Sequence, residues 1–209
     1  TNLSNFIGSI DNVSVKEVTG QEVVPDSGCG SWLLEPQSTN LITYSEDFSQ
    51  WTLGSNATLS YESGIVAPDG SLGVYRLTLP AQSSTFLLSN SFTGKNPLAS
   101  SIYAKSAATN NDFNLFDGST TSSLKTATSE WQRFDYIGIG SQLGIINQGD
   151  TFITDIYIWG AQAEAQSYAT SYIPTNGAAN TRLQDIATNS GNSSLINSEE
   201  GVLYAEIAA

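Results

Sequence analysis

Alternating apolar and polar residues run along much of the chain. This pattern is typical of β-strands, in which successive side chains point to opposite faces of a sheet. Six segments follow it: residues 59–61, 74–79, 85–88, 101–104, 131–137 and 152–159. Turn-forming Gly, Pro, Asn and Asp residues separate them, and no segment keeps a helical period over three turns. The pattern predicts an all-β chain folded as an antiparallel β-sandwich of the jelly-roll type.

The two ends of the chain carry strand-like segments with no obvious partner. Apolar and polar residues alternate in residues 9–18 as they do in residues 152–158, and both segments have an acidic residue before a β-branched run. This similarity indicates a weak internal repeat. We therefore expect residues 1–31 to hold the last strand of an upstream repeat and a linker, and residues 32–175 to form the central module. Residues 176–209 would be a Gly/Asn/Ser-rich linker or irregular cover, followed by the first strand of a further domain. Such orphan strands expose unpaired backbone groups, so they predict pairing with the central sheet or with another subunit.

Composition narrows the range of partners. Charged residues make up 13% of the chain, about half the ~25% that is usual, and polar uncharged residues replace them. With 7 basic and 20 acidic residues the net charge is -13, which repels a phosphate backbone. Nucleic acid is therefore not expected as a partner. No apolar run is long enough to span a bilayer, so membrane insertion is not expected either.

Several kinds of catalytic chemistry lack their residues. The chain has 0 His and 1 Cys, which removes the commonest general base and any internal disulfide. Without a His to activate it, Cys29 is interpreted as an incidental loop thiol. Adjacent acids such as Glu46 and Asp47 indicate no glycosidase, because that chemistry depends on the distance between carboxyl groups. The sequence thus predicts a protein that is not an enzyme and requires no cofactor.

Two aromatic residues in the last long segment are the first candidates for ligand contact. In a strand, Ile156 and Ile158 lie on one face, and Tyr157 and Trp159 lie on the other. The aliphatic face suits the core, which leaves both rings to face a concave surface where a sugar could stack on them. The alternative is that both rings are buried, as aromatic side chains usually are.

Polar residues elsewhere could complete a sugar site. Arg76, Tyr103 with Lys105, and Asn114 with Asp112 are spaced to line a sheet face, where guanidinium, phenol and amide groups can bind hydroxyls. Each of them alone is equally compatible with ordinary solvated surface. Trp51 and Trp131 are expected in the core instead.

Three stretches together resemble a known kind of module: residues 33–51 (LLEPQSTNLITYSEDFSQW), 159–164 (WGAQAE) and 168–180, which contain SYIPT. The combination is similar to modules of bacteriophage tail or appendage proteins and of some marine bacterial secreted polysaccharide-active proteins. Those modules are in turn similar to jelly-roll carbohydrate-binding families. Residues 200–206 (EGVLYAE) resemble the first strand of a concanavalin-like sandwich.

This resemblance implies a possible structural calcium ion between the opening segment and the closing strand. The matching carboxylates are Glu46 or Asp47, and Asp155. Because calcium takes six to eight oxygen ligands, backbone carbonyls would supply the rest. The alternative is that these acids are turn and cap residues on a solvated rim.

The expected function is a non-catalytic glycan-binding or adhesion module of a phage tail fibre or similar virion appendage. Its partner would be a bacterial-surface or algal polysaccharide, and its location the virion or, alternatively, the secreted fraction. A homo-oligomer is expected, and a trimer if the module belongs to a fibre. One alternative is a structural spacer or decoration module that binds neighbouring subunits. A third reading is an accessory domain of a polysaccharide lyase or hydrolase.

Overall fold

The computed structural model describes residues 35–81, 85–147 and 152–186, together with the backbone of two strands nearer the N-terminus. The chain divides into two units, residues 1–33 and 34–209. In the first unit, β1 (Val23–Asp26) and β2 (Cys29–Trp32) form an antiparallel pair. The strands predicted at 9–18 and at the C-terminal end lie outside the described residues.

The described part of the second unit is almost entirely β-structure, with one short 3₁₀ helix at Phe48–Gln50. Its strands are β3 (Ser38–Asn40), β4 (Thr52–Leu53), β5 (Thr58–Val66), β6 (Leu72–Leu79), β7 (Phe86–Leu88), β8 (Lys95–Phe116), β9 (Lys125–Thr126), β10 (Gln132–Gly140), β11 (Gly144–Ile146), β12 (Thr154–Glu164) and β13 (Asn180–Arg182). All their pairings are antiparallel, and each of the six predicted segments overlaps a strand. The prediction of an all-β antiparallel sandwich is confirmed.

The strands form two layers. In the first layer the order is β10, the N-terminal half of β8, β12, β6 and β5; in the second it is β4, β7, β11 and the C-terminal half of β8. Aliphatic and aromatic side chains from both layers meet in a main core, so each layer buries one face, and a second, smaller cluster contains Ala67, Val74 and Trp159. The buried core includes Ile42, Phe48, Trp51, Leu77, Leu79, Leu87, Leu98, Ile102, Phe113, Leu115, Leu143, Ile145, Ile156 and Ile158. We call the other face of the first layer the outer face; it carries Arg76, Tyr103, Lys105, Arg133 and Tyr157.

Strand β8 passes from one layer to the other. Its residue Ser106 pairs with Ile156, whereas Asn111 pairs with Thr154, so four residues of β8 face only one of β12 at this irregularity. Core-facing positions change from Ile102 before the irregularity to Phe113 after it, an odd spacing that a regular strand would not give. The extra residues are what turn the strand into the second layer.

A bulge in β12 changes which residues face the core. Gly160 has a φ of 62°, and the register shifts between Trp159 and Gln162. Ile158 faces the core before the bulge, and Ala161 does so after it. One extra residue therefore reverses the alternation of this strand.

A separate two-stranded sheet joins the first and last described strands of the second unit. β13 pairs with β3, and beyond this pair the Asp185 backbone amide donates to the Glu35 carbonyl at 3.0 Å. Arg182 Nη2 lies 3.0 Å from Glu35 Oε2 in an ion pair whose side chains are 11% and 6% exposed. Residues 180–185 are thus paired with the start of the module, although the sequence places them in a linker or irregular cover. Three backbone pairs and an ion pair fix this segment against the start of the module.

Candidate functional site

A row of side chains crosses three neighbouring strands on the outer face. Arg76 in β6 lies directly opposite Tyr157 in β12, and Tyr157 lies directly opposite Lys105 in β8. Tyr157 points away from the buried Ile156 and Ile158, as strand alternation predicts. All three members of the row are partly exposed, so they form a surface open to solvent.

The Lys105 ammonium group lies between two aromatic rings. Its Nζ is 5.0 Å from the centroid of the Trp131 ring and 5.6 Å from that of Tyr157. A hydrogen bond orients the Trp131 ring, because its Nε1–H donates to the Val66 carbonyl at 2.9 Å. Each ring stabilises the cation by about 0.5–1 kcal/mol. The Lys105 ammonium, a hydrogen-bond donor, is therefore flanked by two aromatic rings.

Trp131 was predicted to lie in the core, but it is not part of the main core between the layers. It packs, partly buried, against a second, smaller cluster of Ala67, Val74 and Trp159. Phe134 and Tyr136 in β10 pack against the core, so the alternate positions of this strand, Arg133 among them, face outward. Trp131 precedes this strand on the same side as Arg133 and is only partly buried. Trp51, in contrast, is 7% exposed and belongs to the core as predicted.

Trp159 shares the outer face with Tyr157 but is 4% exposed. Its ring centroid lies 4.7 Å from that of Tyr172 and 5.6 Å from that of Tyr103. Tyr172 comes from the segment that follows β12, which folds over the Trp159 ring. The expectation that Trp159 faces an open surface is therefore wrong, and its ring supports its neighbours instead.

Tyr172 anchors this cover to the opening segment of the module. Its hydroxyl lies 2.7 Å from Ser45 Oγ and 2.9 Å from Glu46 Oε1. Burial, reinforced by the Glu46 carboxylate, raises the pKa of Tyr172 well above its usual value. The phenol therefore stays protonated in mildly alkaline solution as well, and keeps its contacts with Ser45 and Glu46.

Arg133 extends the outer face beyond Tyr103. Its guanidinium carbon is 5.6 Å from the centroid of the Tyr103 ring, and Nη2 donates to Ser101 Oγ at 2.9 Å. Tyr103 is half-buried between this guanidinium and Trp159. The sequence pattern placed Tyr103 and Lys105 on one sheet face and named Tyr103 as a ligand contact, but it did not name Lys105 or Arg133 as one.

Arg76 is held by Asp155 through two hydrogen bonds. Nε donates to Oδ1 at 2.8 Å and Nη2 donates to Oδ2 at 2.7 Å. The Asp155 hydrogen bonds and charge raise the pKa of Arg76 above its already high value. The Arg76 side chain is 39% exposed and that of Asp155 is 12% exposed, so the cation remains accessible while the carboxylate is largely covered.

Asn114 is not part of this surface. It lies in the C-terminal half of β8, opposite Ile146 of β11, and is 4% exposed. Its Nδ2 donates to the Ser122 carbonyl at 3.1 Å. The structure thus gives Asn114 a role in holding the second layer, because β8 has changed layers before reaching it.

A separate groove lies beside the 3₁₀ helix. It has a volume of about 550 Å³ and is lined by Glu46, Asp47, Tyr61, Ser71, Leu72, Gly73, Tyr75, Thr175 and Asn176. Tyr61 is 58% exposed and lies across Gly73, where φ is 109° and a Cβ would come within 1.9 Å of the Tyr61 hydroxyl. Only glycine therefore lets the ring lie in this position.

Asp47 caps the 3₁₀ helix on one wall of the groove. Its Oδ1 accepts from Ser49 N at 3.1 Å, Ser49 Oγ at 2.5 Å and the Tyr75 hydroxyl at 2.8 Å. These bonds, that of the Ser49 hydroxyl first, lower the pKa of Asp47. Asp47 is thus a helix cap, which is the alternative that the sequence left open.

The three predicted calcium ligands do not come together. Asp47 accepts a hydrogen bond from Tyr75, and Asp155 accepts one from Arg76. Because Tyr75 and Arg76 are consecutive residues of β6, their side chains point to opposite faces of the layer. Within residues 35–81, 85–147 and 152–186, no three His, Cys, Asp or Glu side chains form a metal-binding group. Calcium binding stays a prediction, and it would need a donor set other than Glu46, Asp47 and Asp155 jointly.

No protein-family model and no curated protein matches this chain. Among solved structures it is similar to the CBM22-1 and GH10 modules of a Clostridium thermocellum endo-1,4-β-D-xylanase complexed with xylohexaose, with 14% identity, a TM-score of 0.45, and coverage of 68% of this chain and 30% of that one. It is also similar to a family 11 carbohydrate-binding module of a C. thermocellum cellulase, with 10% identity, a TM-score of 0.37, and coverage of 73% and 98%. For tailspike protein 4 of bacteriophage CBA120 the identity is 12%, the TM-score 0.36, and the coverage 59% and 21%. Similarities this low assign neither a family nor a ligand.

The described part of the chain contains no helix with the length and hydropathy needed to cross a bilayer.

Proposed function

We propose that this chain is a non-catalytic glycan-binding module whose sugar site is the outer face around Tyr157, Lys105 and Trp131. The observation that carries the proposal is the pair of partly exposed rings on either side of the Lys105 ammonium. Rings of this kind accept the C–H face of a sugar, while the ammonium donates to its hydroxyl oxygens. Arg76 and Tyr103 extend the same surface on its two sides.

A flat site of this kind holds a ligand weakly. We expect a Kd on the order of 10⁻⁴ M for a single module, so useful adhesion requires several copies acting together. This favours a repeated arrangement on a virion appendage, as a homo-oligomer and as a trimer in a fibre, with a secreted protein as the alternative. The polysaccharide would be that of a bacterial surface or an alga. The sequence resemblance to phage appendage modules supports this setting.

The proposal is tested by glycan-array screening followed by titration calorimetry with the best ligand. Tyr157→Ala and Trp131→Ala should each weaken binding about tenfold, since each removes a stacking ring. Tyr61→Ala is the matched control, because Tyr61 is 58% exposed and pairs with Tyr75 on the opposite face of the first layer. Binding to no glycan, or equal affinities for all three variants and the original chain, would contradict the proposal.

The non-catalytic part of the proposal has its own test. The chain is incubated with the glycan that it binds, and new reducing ends and unsaturated products are measured. We expect neither to accumulate. Accumulation that depends on Glu46 or Asp47, in the groove beside the 3₁₀ helix, would instead support an accessory role in a lyase or hydrolase.

A second candidate is a structural module that binds neighbouring subunits. Among the described strands, β10 pairs only with β8, and its Ile137 and Ile139 are 40% and 47% exposed. An edge strand with exposed apolar residues is suited to pairing with a strand of another chain. Light scattering after size-exclusion chromatography discriminates the two candidates. An obligate oligomer that Ile137→Lys converts to a monomer, and that binds no sugar, would favour the structural role.

A further inference from the structure

The few basic residues of this acidic chain are concentrated on the proposed site. The sequence contains 7 basic residues against 20 acidic ones, and three of the basic ones, Arg76, Lys105 and Arg133, lie on the outer face of the first layer. Arg76 and Lys105 flank Tyr157 in one row, and Arg133 pairs with Tyr103, two residues along β8 from Lys105. A neutral ligand would not require this concentration of cations in a chain of net charge -13.

Lys105 has no carboxylate partner among the described residues. The ion pairs of that part of the chain are Arg76 with Asp155, and Arg182 with Glu35 and Asp185. The ammonium instead lies against the Trp131 and Tyr157 rings, which hold it in place without neutralising it. Its charge is therefore available to a ligand.

Arg133 is likewise without an ion pair in the described ranges. It donates to the neutral Ser101 hydroxyl and stacks on Tyr103. Its Nε is buried and has no hydrogen-bond partner there, so a ligand would bind through the Nη groups. A guanidinium group is suited to binding a carboxylate or sulfate through two parallel hydrogen bonds. Arg133 and Lys105 thus supply two uncompensated cations on adjacent strands.

No acid of the outer face forms an ion pair with Lys105 or Arg133 among the described residues. Asp155 is already neutralised by Arg76. Glu62 lies on β5, three strands from Lys105, and Asp135 pairs with Ser101, four residues along β8. Strand spacing and rise place the backbone of both at least roughly 14 Å from that of Lys105. Asp135 is nearer to Arg133, two residues away on the same strand, and Glu130 is next to Trp131 in the chain, but neither acid forms an ion pair with a described basic residue.

We propose that the ligand of this face is an acidic glycan, whose carboxylate or sulfate groups bind Lys105 and Arg133 while its sugar rings stack on Trp131 and Tyr157. The inference rests on the proposed glycan-binding function and specifies the class of sugar: a polyuronate or a sulfated polysaccharide. Both share an anionic group on a pyranose ring. The net negative charge of the remaining surface disfavours anions that lack a stacking partner.

The test compares polymers that differ only in charge. Polygalacturonate is compared with its fully methyl-esterified form, and dextran sulfate with dextran, in affinity electrophoresis and calorimetry at 50 and 300 mM NaCl. A single-stranded oligonucleotide serves as an anion without pyranose rings. We expect at least one acidic polysaccharide to bind, its neutral counterpart to bind at least tenfold more weakly, and the oligonucleotide not to bind.

Variants assign the effect to the site. Lys105→Gln should weaken binding to the acidic polymer about tenfold and reduce its salt dependence, and Lys105→Arg should retain binding. Lys125→Gln, which removes a basic residue of β9 in another part of the sandwich, is the charge-matched control and should change affinity less than twofold. Thermal unfolding of each variant checks that the fold persists.

The outcomes separate the two proposals. Equal or stronger binding of the neutral polymer, or loss of affinity in Lys125→Gln equal to that in Lys105→Gln, overturns the acidic-glycan inference while glycan binding stands. Oligonucleotide binding as tight as that of the polysaccharide also overturns it, since it would indicate nonspecific anion binding. Absence of binding to every acidic and neutral polysaccharide overturns both proposals.

Discussion

The Tyr75 hydroxyl donates a 2.8 Å hydrogen bond to Oδ1 of Asp47, which joins β6 to the 3₁₀ helix. The bond helps to lower the pKa of Asp47 below its ordinary value of 3.8, behind the larger effect of the Ser49 hydroxyl. Burial first, and the Asp47 bond next, raise the pKa of Tyr75 above its ordinary value of 10.0. The two shifts make this contact sensitive to both acid and alkali.

The first prediction concerns stability against pH. Because the pKa of Asp47 is lowered in the folded state, its contribution is present above the unfolded pKa of 3.8 and is lost as the pH falls through the folded value. Tyr75 contributes below its unfolded pKa of 10.0, and loses that contribution as the pH rises further. Tyr75→Phe should lower the free energy of unfolding at pH 7 by about 1 kcal/mol and flatten the loss below pH 4.

Urea unfolding at pH 7 and pH 3 measures this effect. Tyr168→Phe is the control, since the exposed Tyr168 should leave both values unchanged. An acid limb as steep in Tyr75→Phe as in the original chain would show that the bond does not contribute to the Asp47 shift.

The second prediction concerns the ion pair that closes the module. Glu35 and Arg182 are 6% and 11% exposed, so removing one partner leaves a largely buried charge. Arg182→Gln or Glu35→Gln alone should cost about 3 kcal/mol of unfolding free energy, and the double variant should cost less than the sum. Strictly additive losses in a double-mutant cycle by urea unfolding would contradict direct coupling.

The third prediction concerns the bulge of β12. At Gly160, φ is 62° and a Cβ would lie 3.2 Å from Tyr103 Cδ2, so Gly160→Ala combines backbone strain with crowding of the aromatic cluster. We expect a loss of about 1–3 kcal/mol and a changed near-ultraviolet circular dichroism spectrum. Gly64→Ala is the matched control, because a Cβ there meets nothing within 4 Å. Equal stabilities of the two variants would refute the role given to Gly160.

The fourth prediction separates two tryptophans. Trp51 lies in the core, where its ring centroid is 4.9 Å from that of Phe48, so Trp51→Ala should cost about 3–5 kcal/mol and leave the outer face intact. Trp131→Ala should cost about 1–2 kcal/mol and weaken glycan binding. Chemical unfolding and calorimetry on the same preparations distinguish them. A Trp131→Ala variant as unstable as Trp51→Ala would indicate that its ring is mainly structural.

Local alternation predicted the strands and the faces of their central residues, because β-strand geometry requires only neighbouring residues. It placed Ile156 and Ile158 in the core and Tyr157 opposite them. Alternation did not predict the burial of Trp159, because the ring is covered by Tyr172. Tyr172 contacts it only after the chain has turned back beyond β12. Alternation also failed at Asn114, because the irregularity that moves β8 into the second layer depends on its pairing with β12.

Lys105 illustrates a different limit of sequence reasoning. Its partners Trp131 and Tyr157 are distant along the chain, and only the registers of β8 with β10 and β12 bring them together. Registers are set by the whole pattern of core residues on both strands. A cluster of this kind therefore becomes visible only when the strand order is known.

The pairing of β3 with β13 also determines how the module would respond to mechanical load. Residues 35 and 185 lie side by side near the first and last described residues of the second unit. A pull on these two points would separate the strands one residue pair at a time, as a zipper opens, instead of shearing all three pairs together. The Glu35 to Arg182 ion pair lies at the end that is loaded first, so it would set the force at which the module begins to open.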